Sequence, residues 1–178
     1  MKETLARSAS AKYQPTHSQA NLMEVAWPTQ WQPGRASVCV VNELHIPATP
    51  SVIWRHLVAP LEWPTFYSNA SDIRFERGPG PLLERDSIFR WKTFGVRIRS
   101  EICEFEPNRL LSWIGSGLGL RAMHRWVLVA EGSGTRVTTT EIQFGFVPKL
   151  AGRFLRPGML RQHDNWLIGL AAKATSSN

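Results

Sequence analysis

Between residues 86 and 146 the chain alternates apolar and polar side chains, and turn residues cut the pattern at Phe94-Gly95, Pro107-Asn108, Gly115 to Gly119 and Gly132-Ser133-Gly134. A period of two places every second side chain on the same face of a strand, and breaks this short favour hairpins between antiparallel neighbours. With the run before Gly78-Pro79-Gly80-Pro81, the pattern predicts strands at 72–77, 86–93, 96–106, 109–114, 120–131 and 135–146. A further strand precedes them: from Ser37 to Ile46, Val38, Val40, Leu44 and Ile46 share one side.

Two other signals fix the helices. Thr49-Pro50 offers an N-cap and a first-turn proline, and Val52, Ile53, Trp54, Leu57 and Val58 follow at helical spacing, which predicts a helix over 50–59. Pro60 stops it, and Trp63-Pro64 opens a second short helix or tight turn over 61–69 that carries Phe66 and Tyr67. From 148 to 175 the period lengthens: Leu155, Met159, His163, Trp166, Leu170 and Ala174 form one stripe on a long helix, with a kink or break expected at Pro157-Gly158. The expected class is therefore α+β, with about seven strands in one antiparallel sheet and a long terminal helix.

At 178 residues and 43% hydrophobic content the chain suits one core. No apolar run reaches the length of a membrane span and the N-terminus lacks a secretory pattern, so a soluble, cytoplasmic protein is expected. Residues 1–36 read as an extension whose first part frays, although its basic, Ser/Ala-rich start also fits a transit segment. Trp27 and Trp31 suggest that the later part packs onto a domain spanning 37–175. Cys39 and Cys103 lack ligand or pairing motifs and read as free thiols. The net charge of +7 is spread along the chain without a basic run or nucleic-acid motif, so nucleic acid is not the expected partner.

Alternation also assigns faces. Phe89 and Trp91; Ile98, Ser100 and Ile102; Leu111 and Trp113; and Ala122, His124, Trp126 and Leu128 should point at the long helix. Arg90, Lys92, Arg97, Arg99, Arg121 and Arg125 fall on the opposite face, read as a solvated convex surface or a docking surface for an acidic partner. In the last strand the parity is ambiguous: Thr139 and Glu141, or Thr140 and Ile142, point inward. The polar groups expected inside are Ser100, Ser112 and His124, with His163 on the helix and Tyr67 at a rim.

The phrases "HIPATPSVIWRHLVAPLEWPTFYSN", "FRWKTFGVRIRSEICEFEPNRLLSWIG", "HRWVLVAEGSGTRVTTTE" and "NWLIGL", in this order and spacing, resemble the START-related SRPBCC superfamily, in particular its polyketide cyclase/dehydrase and lipid-transport branch. The resemblance covers about residues 37–174. It implies a helix-grip fold, a curved sheet closed over the terminal helix with a hydrophobic cavity between them, and a small aromatic, polyketide or lipid-like ligand held there by a carrier or sensor. Some members are cyclases or dehydratases, so whether this chain is an enzyme stays open.

On that basis the expected ligand contacts are Trp63, Phe66 and Tyr67 near the entrance, Phe89, Trp91, Ile98, Ser100, Trp113, His124, Trp126 and Glu141 on the sheet, and Met159, His163 and Trp166 on the helix. In an enzyme, His124 or His163 would move protons, with Tyr67 or Ser100 polarising a carbonyl. His124, His163 and Glu141 lack the close spacing of a metal motif, so no metal and no cofactor are expected. Lys149, Arg153 and Arg156 beside Phe154 and Leu155 mark a surface for peripheral contact with anionic membranes. The oligomeric state is not legible.

Overall fold

A computed structural model describes residues 25–176; the expected frayed start of the extension lies outside them. The strands are β1 (Val38–Ile46), β2 (Ser71–Arg77), β3 (Ile88–Thr93), β4 (Val96–Glu106), β5 (Leu110–Gly117), β6 (Leu120–Glu131) and β7 (Gly134–Gly145). They form one curved antiparallel sheet in the order β1-β7-β6-β5-β4-β3-β2. Helix α1 (Pro50–Leu57) and a 3-10 segment (Pro60–Thr65) follow β1, and helix α2 (Phe146–Thr175) closes the chain. The α+β helix-grip architecture expected from the sequence is the one observed.

Thr49 stands at the N-cap of α1, but its hydroxyl bonds to Ser51 rather than to the backbone. The helix ends at Leu57, two residues early, because the Trp63 indole folds back and donates to the Leu57 carbonyl at 3.1 Å. That hydrogen bond satisfies one of the orphan acceptors of a helix C-terminus and draws Trp63 into the interior.

No break occurs at Pro157: α2 runs unbroken for 30 residues. Proline frees the carbonyl four residues earlier, here that of Arg153, which lies on an exposed stretch where water can pair with it. From Met159 onward the predicted stripe is buried, whereas Leu155 is 39% exposed, because it borders the opening between α2 and the sheet. Asn42 on β1 ties the helix down by donating to the Leu160 carbonyl at 3.0 Å and to Asp164 at 2.7 Å. Gly169 lies so close to the Phe66 carbonyl that a Cβ there would collide with it, and this sets the depth at which α2 sits.

A register shift between Ile102 and Glu104 bulges β4 at Cys103. Ile102 points inward before the bulge and Phe105 after it, where Phe105 meets Trp54 edge to face at 5.3 Å. Ser112 therefore stands on the convex side, donating to Glu104 at 2.7 Å beside the Cys103 thiol, and not in the interior as expected. The alternation itself forbids an inward Ser112 between inward Leu111 and Trp113.

Residues 25–36 lie on the convex face, where Trp31 is buried with Met123 and Ile142. This corrects the reading of that face as a uniform field of solvated cations. Arg125 is only 2% exposed: it donates to the carbonyls of Val25 and Ala26 and to Glu104, each at 3.0 Å, and lies over the Trp27 ring. Burial lowers its pKa and the Glu104 carboxylate opposes that fall. Arg90 and Arg99 pair with Glu76, and Arg121 lies over Trp31.

Candidate functional site

The inner face of the sheet and α2 enclose two unlike regions. One is solid: Trp63 sits at its centre, stacked on Trp113 at 5.6 Å and edge-on to Phe89, Trp91 and Trp166 at 5.8, 5.5 and 5.0 Å. Beyond Trp91, Trp113 and Trp166 the packing opens into a cavity of about 330 Å³.

Tyr67, Trp91, Ile98, Trp113, His124, Glu141, Met159, His163 and Trp166 line that cavity. Trp63, Phe66, Phe89, Ser100 and Trp126 do not. Trp63 lies at the hub of the solid region rather than at an entrance, drawn there by its bond to Leu57. Ser100 is fully buried and accepts from the Trp91 indole at 3.0 Å, so it is not placed to polarise a carbonyl in the cavity. Phe66 is half-buried, while Phe89 and Trp126 complete the aromatic packing.

The mouth is formed away from the entrance expected at Trp63, Phe66 and Tyr67. Phe94 in the β3–β4 turn, Leu118 in the β5–β6 turn, and Val147, Phe154 and Leu155 on α2 form the rim. Both turns carry two residues with positive φ, Phe94 at 49° with Gly95 at 74°, and Leu118 at 45° with Gly119 at 71°. Asn-Gly is the usual pair in such turns, and a bulky apolar residue in the left-handed region costs roughly 1–2 kcal/mol. The sequence accepts that cost twice, each time at the mouth, and so holds two large apolar side chains over the opening. The signal was present in the sequence as apolar residues directly before hairpin glycines. Gln143 and Ala122, also missed as contacts, follow from the inward parity of β7 and β6.

Polar groups gather on one wall. His124 on β6 is directly opposite Glu141 on β7 in the ladder, and His163 comes down from α2. A single carboxylate oxygen, Oε2 of Glu141, is 3.5 Å from His124 Nδ1 and 3.3 Å from His163 Nε2. The two imidazoles stack, with 4.8 Å between ring centres and 18° between planes. His124 Nε2 meets Thr139 Oγ1 at 2.7 Å, and Gln143 Nε2 donates to the other Glu141 oxygen at 2.6 Å. The inward pair on β7 is thus Thr139 and Glu141.

Burial first, and the adjacent His163 second, push His124 down to about 3, which keeps it neutral near pH 7. For Glu141 burial raises the pKa, but the His163 hydrogen bond, both imidazoles and Gln143 outweigh it and hold the carboxyl at about 2, ionised. Tyr67 is pushed up to about 12, chiefly by burial; its oxygen accepts from Asn69 at 2.8 Å and it remains a phenol. Among the described residues, His163 Nδ1 and Trp166 Nε1 are buried without a hydrogen-bond partner.

Residues 37–175 match the family described as polyketide cyclase / dehydrase and lipid transport. The chain belongs to that family. No curated protein sequence matches it significantly. Among solved structures it is similar to a hypothetical protein of Helicobacter pylori, at 28% identity and a TM-score of 0.77, covering 84% of this chain and 95% of that one. A protein of Thermus thermophilus aligns with a TM-score of 0.66 at 20% identity, covering 79% and 99% of the two chains. The Zhui aromatase/cyclase of Streptomyces sp. R1128 aligns with 0.65 at 14% identity, covering 77% and 93%. At such identities the last two likenesses concern the fold. No described helix is long and apolar enough to cross a membrane.

Proposed function

We propose that the cavity binds one small hydrophobic molecule, aromatic, polyketide or lipid-like, and that the domain of residues 37–175 acts as its carrier or sensor. The observation that carries this reading is an apolar, ring-lined cavity of about 330 Å³ between the sheet and α2, with polar side chains gathered on one wall at His124, Glu141 and His163, the arrangement that orients a small ligand in a largely hydrophobic pocket. Membership of the family and the fold shared with an aromatase/cyclase support the ligand class.

Three tryptophans line the cavity, so occupancy has an internal reporter. Titration with 1-anilinonaphthalene-8-sulfonate under native conditions is expected to quench tryptophan emission saturably, with one site per chain and competition by long-chain fatty acid or polycyclic aromatics. Unsaturable quenching, or saturation that none of these competitors reverses, contradicts the reading.

The wall of His124, Glu141 and His163 favours a second reading, a cyclase or dehydratase of a carbonyl-containing substrate. In this reading His124 or His163, both set against the Glu141 carboxylate, would move the proton from carbon next to a carbonyl, with Glu141 orienting the rings and the Tyr67 phenol as a donor to the carbonyl oxygen. Against it, among the described residues no Arg or Lys lines the cavity to hold developing negative charge. Aldol cyclisation of a poly-β-ketone thioester mimic should proceed with the wild-type chain and fall at least 100-fold in His124→Ala/His163→Ala. Equal turnover in the two proteins removes this reading.

A further inference from the structure

On the polar wall one carboxylate oxygen faces a nitrogen of each of two imidazoles, and a metal cation is a species that such a meeting point can hold. Ligand atoms about 2.0–2.2 Å from one ion, at tetrahedral or octahedral angles, stand roughly 3–3.5 Å apart. Glu141 Oε2 already stands at 3.5 Å from His124 Nδ1 and 3.3 Å from His163 Nε2, and one ligand atom from each of the three residues falls within 4.8 Å of the others.

The surroundings suit such a role. The contact between His124 Nε2 and Thr139 fixes that ring and, with Nε2 as donor, leaves the Nδ1 lone pair facing Glu141. Gln143 holds the second carboxylate oxygen and turns Oε2 toward both rings. Since the rings now stack, coordination asks one of them to rotate about its Cβ–Cγ bond.

We propose that His124 Nδ1, Glu141 Oε2 and His163 Nε2 form a site for one divalent first-row transition cation of the Zn²⁺ class, with its remaining positions open to the cavity. Two imidazoles and one carboxylate are a donor set such ions accept, and three protein ligands leave room for water or for an oxygen of the cavity's occupant. The site stands on its own geometry and would exist whether or not the cavity carries an organic ligand.

The test uses the full chain, stripped with chelator and titrated with Co²⁺ as a spectroscopic stand-in for Zn²⁺. Wild type is expected to bind one Co²⁺ per chain with the visible bands of a four- or five-coordinate ion, displaced by one equivalent of Zn²⁺. Glu141→Gln and His163→Ala should each weaken binding at least tenfold, while His45→Ala, at an exposed histidine, leaves it unchanged. Should a variant fail to fold, the wild-type chain still decides: Zn²⁺ should raise its Tm and chelator should reverse the rise. A spectrum unchanged from that of aqueous Co²⁺, no Zn²⁺-dependent Tm rise, or binding that survives both substitutions overturns the site. Titration of the metal-free chain with 1-anilinonaphthalene-8-sulfonate reports separately on the cavity, so failure of one assignment is distinguishable from failure of the other.

Discussion

Trp63→Ala is expected to cost about 3–5 kcal/mol of folding stability, the range for deleting a buried tryptophan, and so to remove a large part of the 5–15 kcal/mol typical of a domain. Two separable losses combine. The ring touches Phe89, Trp91, Trp113 and Trp166, so its removal leaves a void among four aromatic neighbours. Its indole N–H also satisfies the Leu57 carbonyl at the end of α1. Trp63→Phe keeps most of the packing and loses the hydrogen bond, so it should cost clearly less than the alanine variant. Urea unfolding followed by far-UV circular dichroism measures both, and a loss below about 1 kcal/mol for Trp63→Ala would show that the aromatic cluster is not a stabilising core.

Ala122→Phe is expected to weaken ligand binding about 100-fold or more while leaving the fold intact. Ala122 lies on β6 between Gly115 and Gln143 in the sheet and lines the cavity, so a phenyl group there enters the room the ligand would occupy. Overpacking a filled core costs about 1–3 kcal/mol, and here the added ring meets empty space, so the unfolding midpoint should move little. A 100-fold loss of affinity corresponds to about 2.7 kcal/mol. Unchanged affinity in a folded Ala122→Phe protein would place the ligand elsewhere.

The strands and the long helix were legible because period two and period 3.6 report which side chains are buried. The same signal failed wherever both sides of an element are covered. On β7, Glu141 faces the cavity while Ile142 packs beneath Trp31, so neither parity looks exposed and the inward pair could not be chosen. Arg125 read as a solvated cation for a related reason: nothing in β6 announces that Val25 and Ala26 will lie across it.

The bulge at Cys103 adds a residue without changing the composition of the strand, and so leaves no mark in the pattern. His124, Glu141 and His163 were read as inward groups but not as neighbours, because they are 17 and 22 residues apart and only the β6–β7 ladder and the descent of α2 bring them together. Periodicity says that a side chain points inward; it does not say whether anything meets it. Trp63 and Trp113 are both inward, yet one is the centre of a solid core and the other a wall of a cavity.

Ligand binding inside this domain requires open space between the sheet and the middle of α2. Apolar cavities of this size take up xenon, so diffraction from crystals pressurised with the gas reads that space directly. Xenon density bounded by Trp113, Met159 and Trp166 is the predicted result. An interior without xenon, with those side chains closed against one another, would contradict it.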